Sequence, residues 1–144
     1  MRKPPLRGEI VLADLSAINR AKDPSVRQEV AAALNARQIV TCSVVTLELI
    51  YSARNREELE NFDATQATLR NIPMTDSIHR AALTAIRELA RRGAGCHRVP
   101  VADVLIAAAA QEAGVGVLHY DRHFDRLAEV LHFHSVWLAP AGSL

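Results

Sequence analysis

At 144 residues the chain is long enough for one domain with a real core. With 17 basic and 16 acidic residues its formal charge is only +1, so composition alone does not imply a nucleic-acid partner, and any such surface has to be a local patch. Hydrophobic content of 49% with only 4% aromatics suggests a helix-rich α/β protein, and no apolar run matches a signal peptide or the ~18 residues of a membrane span, so the reading is a soluble cytoplasmic protein.

Residues 1–8 read as a flexible N-terminal tail, 9–140 as a single domain and 141–144 as a C-terminal tail. Glu9 to Ala13 is a short buried strand ending at Asp14, followed by a short helix that breaks at Asp23-Pro24. Val26, Val30, Ala33 and Leu34 recur at helical spacing and predict a helix over 25–37, and the β-branched run from Gln38 to Cys42 predicts a second strand. Ser43 is a candidate cap for the next helix, which carries Val44, Leu47, Glu48 and Tyr51 to about Arg54. A polar helix over 57–70, with Leu59, Phe62 and Leu69 as its apolar stripe, pairs with it as a hairpin.

Asn71 to Thr75 is a weak strand that Pro73 places on a sheet edge. Ser77 opens an amphipathic helix carrying Ile78, Ala82, Ala85, Ile86 and Leu89, and Gly93 stops it. After a basic Gly-rich loop, VPVADVLIAAAAQEAG (99–114) predicts a helix buried on most sides, with Pro100 in its first turn and Gly114 just past its end. Val115 to Tyr120 is a buried strand, 121–130 a short helix and Ser135 to Leu138 a last strand. Strands alternating with helices predict a parallel sheet covered on both faces. Cys42 and Cys96 are isolated in sequence and read as reduced core thiols.

The acids carry the chemistry. Asp14 and Asp121 follow short apolar strands and so fall at the carboxyl rim of a parallel sheet, where α/β proteins bind ligands. Helices in such folds run antiparallel to the strands, which brings the N-termini of the Asp103 and Glu48 helices to the same rim. Asp14, Asp103 and Asp121 each have an alternative reading as ordinary helix caps or first-turn acids, whereas Glu48 sits mid-helix among apolar residues. Four carboxylates within about 5 Å of one another would repel by roughly 3 kcal/mol per pair at an effective dielectric near 20. Hard divalent cations relieve that repulsion, take oxygen ligands and activate water for phosphodiester hydrolysis.

Asp14-x-Ser16 after the first strand, Thr46-x-Glu48-Leu49, Ala102-Asp103 opening an Ala-rich helix, and Asp121 followed by Phe124 resemble the PIN domain. Within that family they are similar to the VapC toxins of toxin–antitoxin modules, over about Ile10 to Pro140. The resemblance implies a three-layer α/β/α sandwich with a central parallel sheet of about five strands. It further implies an endoribonuclease dependent on one or two Mg²⁺ or Mn²⁺ ions, a homodimer, and a cognate VapB-type antitoxin. The family's acids would fall on Asp14, Glu48, Asp103 and Asp121, and its serine or threonine near the first acid on Ser16. Relatives commonly read T-x-D-x-D-F around the fourth acid, where this chain has histidine at 119 and 123. The resemblance leaves two substitutes for the missing fifth acid: His123, as a nitrogen ligand or substrate contact, and Asp125.

Other residues support blander readings. His119, His123, His132 and His134 match no zinc spacing, although a strand would place His132 and His134 on one face. Arg91, Arg92, His97 and Arg98 around the Gly-rich loop, and Arg54 after the Glu48 helix, are solvated charges or phosphate contacts for RNA. Two rivals to the nuclease remain at this level. A catalytically silent interaction module would use the same fold, and a phosphoacceptor signalling domain would also place an Asp after its first strand. The second would need a lysine at a late strand end, and the late strands here have none.

Overall fold

The computed structural model describes residue 6 and residues 8–144. Its strands are β1 (Val11–Ala13), β2 (Ile39–Cys42), β3 (Arg70–Ile72), β4 (Gly116–His119) and β5 (Ser135–Trp137). Its helices are α1 (Leu15–Ile18), α2 (Arg27–Asn35), α3 (Ser43–Tyr51), α4 (Arg56–Ala67), α5 (Asp76–Arg92), α6 (Val101–Ala113) and α7 (His123–Leu127). The strands form one sheet in the order β3-β2-β1-β4-β5, with every neighbouring pair parallel. Chain order proceeds outward from β1 to β3 and then returns to the other side of β1. The reversal lies between β1 and β4, the crevice where such sheets hold their ligands.

Side-chain alternation along the strands explains the three layers. Leu12, Val40 and Val117 point into one core, shared with Ile78, Ala82, Ala85 and Leu89 of α5 and with the alanine run of α6. Val11, Ala13, Ile39 and Leu118 point the other way, onto Ala17, Val26, Ala33 and the Val136–Ala139 segment. α6 buries seven of its residues, from Asp103 to Ala110, as its unbroken apolarity requires. Gly114 ends it with φ 68°, a left-handed conformation that suits glycine. Gly116 serves a different need, since a Cβ there would lie 3.0 Å from the His134 carbonyl and 2.7 Å from Glu9 Oε1.

Several expected boundaries shift for local reasons. Thr75, not Ser77, opens α5, its hydroxyl accepting the Ile78 N–H. Ser43 is not a cap but the first helical residue of α3, and Pro100 precedes α6 rather than lying inside its first turn. β3 is the edge strand, as Pro73 suggests, but it begins at Arg70 and ends before the proline. His132 and His134 precede β5 and share no strand face; His134 pairs with Glu9 at 2.8 Å. Leu47 and Tyr51, which α3 carries as the sequence pattern predicts, are 61% and 91% exposed. Phe62 and Leu69 instead line an apolar cavity of about 280 Å³ beneath α1 and α2. Of the tail expected over 1–8, residues 1–5 and 7 lie outside the described residues, whereas Leu6 is buried against Val11 and Ala13. At the other end the Leu144 N–H donates to the Tyr120 hydroxyl at 2.8 Å. Both cysteines are free thiols, Cys42 buried and Cys96 partly so. Among the described residues no helix is long and apolar enough to cross a membrane.

Candidate active site

Asp14 caps the short helix after β1. Its Oδ2 accepts the Ser16 N–H at 3.0 Å and the Ser16 hydroxyl at 2.6 Å. The same Ser16 oxygen accepts the Tyr120 N–H at 2.9 Å, so one hydroxyl ties the carboxyl ends of β1 and β4 together. Capping occupies only one of the two Asp14 oxygens. The other, Oδ1, is sealed from solvent without a partner. Among the described residues only three side-chain atoms share that condition, and a second of them, Oε1, belongs to Glu48, whose carboxylate lies in the same site. Buried polar oxygens without donors are costly and rare in native proteins, so this pair calls for a cation.

Asp103 lies in the first turn of α6, whose N-terminus faces the rim, and is 7% exposed. Asp14, Glu48 and Asp103 each bring a ligand atom within 4.8 Å of the others. Asp103 also joins a second group, Asp121 and His123, at the same spacing. There the His123 Nδ1 lies 3.2 Å from Asp103 Oδ2 and 3.0 Å from Asp121 Oδ1. Asp103 is the carboxylate common to both groups.

The electrostatics follow the geometry. Burial, with Asp14, Asp121 and Glu48 adding like charge, pushes the Asp103 carboxyl up to about 8. Burial also raises Asp14, against the lowering effect of its Ser16 hydrogen bonds, and it raises Glu48, with Asp14 contributing. Without a cation Asp103 therefore holds a proton at neutral pH. A divalent ion supplies the charge that would displace it, and the donor set of three or four carboxylates and one imidazole fits Mg²⁺ or Mn²⁺.

All four acids expected at the rim converge there, and His123 and Ser16 lie among them. Asp125 does not. Its carboxylate faces away, accepting the Ser135 hydroxyl at 2.8 Å and the Trp137 Nε1–H at 2.9 Å, and so is occupied beside β5. Three of the basic residues are paired on the surface: Arg54 with Glu58 at 2.8 Å, Arg91 with Glu88 at 3.1 Å and Arg92 with Glu129 at 3.8 Å. His97 and Arg98 are exposed on the loop leading into α6. Ser135 and Trp137 escaped the sequence reading because nothing local marks a serine and a tryptophan of one strand as partners of an acid in the preceding helix.

The PIN domain family model matches residues 11–130, which takes in all four acids. The chain belongs to the PIN-domain family. It is 38% identical over 133 residues to Ribonuclease VapC51 of Mycobacterium tuberculosis, covering 92% of this chain and 96% of that protein. To Ribonuclease VapC18 of the same organism it is 36% identical over 136 residues, covering 94% and 99%. Among solved structures, DNA-bound VapBC from Salmonella typhimurium superposes with a TM-score of 0.72 at 20% identity, over 91% of this chain and 99% of the matched one. VapBC-5 from Mycobacterium tuberculosis gives 0.66 at 19% identity, over 90% and 98%. These last two likenesses speak to the fold, and they agree with the five-stranded parallel sheet of this PIN domain.

Proposed function

We propose that this PIN domain is a divalent-metal-dependent endoribonuclease and the toxin of a type II toxin–antitoxin module. The observation that carries the reading is the pair of sealed, partnerless oxygens on Asp14 and Glu48 beside a shared Asp103. The relatives named ribonucleases, aligned over nearly their whole length, support RNA as the substrate.

Asp14, Glu48 and Asp103 would hold one Mg²⁺ or Mn²⁺, and Asp103 with Asp121 and His123 a second. When bound, the ion supplies a water of lowered pKa and positive charge for the phosphodiester oxygens. The protein's own residues do the remaining work. Ser16 is a positioning residue, fixing the Asp14 carboxylate and the start of the Tyr120–Asp121 turn with one hydroxyl. Glu48 and Asp121 orient the attacking water from either side of Asp103. The exposed His97 and Arg98, at the entrance to α6, are candidates to meet the RNA backbone, whereas Arg54, Arg91 and Arg92 are already paired with glutamates.

The same reading gives the domain a VapB-type antitoxin partner, a homodimeric state and a cytoplasmic location. Exposed Leu47 and Tyr51 on α3 and Val101 on α6 supply apolar surface for such contacts. The test is RNA cleavage by the purified chain with Mg²⁺ or Mn²⁺ against chelator, repeated with Asp14→Asn and Asp103→Asn. Ion-dependent internal cleavage lost in both variants is expected. Cleavage indifferent to chelator would sink the metal-dependent reading, and no cleavage of any RNA would leave the silent interaction module.

A further inference from the structure

β4 and β5 end side by side, with His119 and Trp137 as register partners at the carboxyl rim. Just beyond them the surface carries an open depression of about 320 Å³. It is lined by Tyr120, Trp137 and the Ala141–Gly142 segment together with Asp121 and His123 of the second acid group. The volume is at the small end of ligand pockets, which span about 300–1,000 Å³. It suits one nucleoside.

Both rings are held in place by contacts that the acid groups do not use. The Trp137 indole donates its N–H to both Asp125 oxygens, at 2.9 and 3.2 Å, and meets Tyr120 edge-on at 5.7 Å. Tyr120 carries the Arg20 guanidinium 4.5 Å over its ring and takes the Leu144 N–H on its hydroxyl. With its N–H committed to Asp125, Trp137 offers a visitor only its ring. Exposed Arg122, also in the lining, adds a positive charge at the mouth. Two aromatic rings fixed edge-on to each other, an adjacent guanidinium and the neighbouring acid groups together match an unpaired RNA nucleotide.

We propose that this depression is a nucleobase subsite, in which one base of single-stranded RNA next to the scissile phosphate seats against Trp137 and Tyr120. The proposal rests on the ribonuclease reading and adds to it a place where the base identity of the substrate is sensed. With aromatics only 4% of the chain, base stacking is not an obvious source of affinity from composition. The fold overrides that by gathering two of the few aromatics at the working rim.

Trp137 is the only tryptophan in the chain, so its fluorescence reports on this depression alone. The full-length Asp103→Asn variant, with Mn²⁺ present, is titrated with octaribonucleotides of U, A or C and with versions carrying a single abasic ribose at each position. Binding is followed in parallel by the anisotropy of a 5′ label. The expected result is saturable quenching of Trp137, lost when one particular position is abasic, with about tenfold weaker binding of that oligonucleotide. For cleavage by otherwise unaltered chains, Trp137→Leu should raise KM about tenfold with kcat little changed, and Trp137→Phe should restore most of the loss. RNA that binds and is cleaved with unchanged Trp137 emission, and with equal tolerance of an abasic ribose at every position, overturns the subsite while leaving the nuclease intact. Failure of the unaltered chain to cleave or bind any RNA overturns both.

Discussion

His119 accepts the backbone N–H of Asp121 on its Nδ1 at 3.1 Å, so the imidazole holds the turn that carries a candidate metal ligand. That contact fixes the tautomer. The proton must sit on Nε2, which faces Ser135 Oγ at 2.6 Å; Ser135 in turn donates to Asp125, and Trp137 closes the chain from the far side. Burial pushes the His119 ring down to about 4, so it is neutral at physiological pH. His119 thus acts as an internal strut, and Asp125 is its anchor.

Truncating that strut should therefore damage both the fold and the site. His119 is fully buried, and His119→Ala leaves the Asp121 N–H without its acceptor and Ser135 with only its bond to Asp125, beside a new void. A loss of about 3 kcal/mol in urea unfolding is expected. Mn²⁺ affinity by calorimetry should fall by about tenfold, in the range seen when a ligand's supporting contact is removed. An unchanged Mn²⁺ affinity would show that the Asp121 turn holds itself.

Asp103 gives the apo-protein an unusual pH profile. Its carboxyl is raised to about 8, so between about pH 4 and 8 the folded state binds a proton that the unfolded state has released. That contribution to stability is present at low pH and fades as pH rises through 8, and the raised Asp14 and Glu48 act in the same direction. His119 opposes it, because its lowered value makes the folded state harder to protonate between about 4 and 6.5. Above about pH 7 the acids act alone. Urea midpoints should then fall with pH by up to about 1.4 kcal/mol per unit without metal. Millimolar Mn²⁺ should flatten or reverse the slope, and Asp103→Asn should remove much of it.

The same residue separates stability from activity. Asp103→Asn discards a charge that the apo-site cannot easily bear, so the metal-free variant should unfold at higher urea than the unaltered chain at pH 8. RNA cleavage should nevertheless drop on the order of 100-fold or more, since both acid groups lose their common carboxylate. Parallel measurement of denaturation and cleavage checks this, and a variant that is both less stable and fully active would refute the assignment.

The parallel sheet and the convergence of Asp14, Glu48, Asp103 and Asp121 were legible because each depends on a short-range pattern, a strand end or a helix start, read through one rule of α/β geometry, whereas the strand order was not. Glu48 was the most telling of them, having no structural excuse in an apolar helix. What stayed hidden depended on tertiary contacts between distant segments. Nothing near Asp125 signals that Trp137 and Ser135 will claim its carboxylate, and nothing near Tyr120 signals Arg20 above its ring. Ser43 looked like a cap on residue type alone, but the backbone had already turned helical at that position. Tyr51 and Leu47 matched a helical stripe, yet the face they occupy is not covered by this chain.

His123 sets up the last expectation, on metal choice. Its Nδ1 stands between Asp103 and Asp121, 3.2 and 3.0 Å from their carboxylate oxygens. Mg²⁺ favours oxygen donors, whereas Mn²⁺ and later ions tolerate imidazole nitrogen better. The group formed with Asp103 and Asp121 should therefore select Mn²⁺ over Mg²⁺, and His123→Asp should shift the preference toward Mg²⁺. Spin-echo spectra of bound Mn²⁺ would carry nitrogen modulation in the unaltered chain and lose it in the variant. Competition calorimetry would follow the Mg²⁺ affinity, expected to rise about tenfold on substitution. Identical selectivity in both chains, with no nitrogen signal in either, would mean that His123 only hydrogen-bonds the two acids and that the ions are held by oxygen alone.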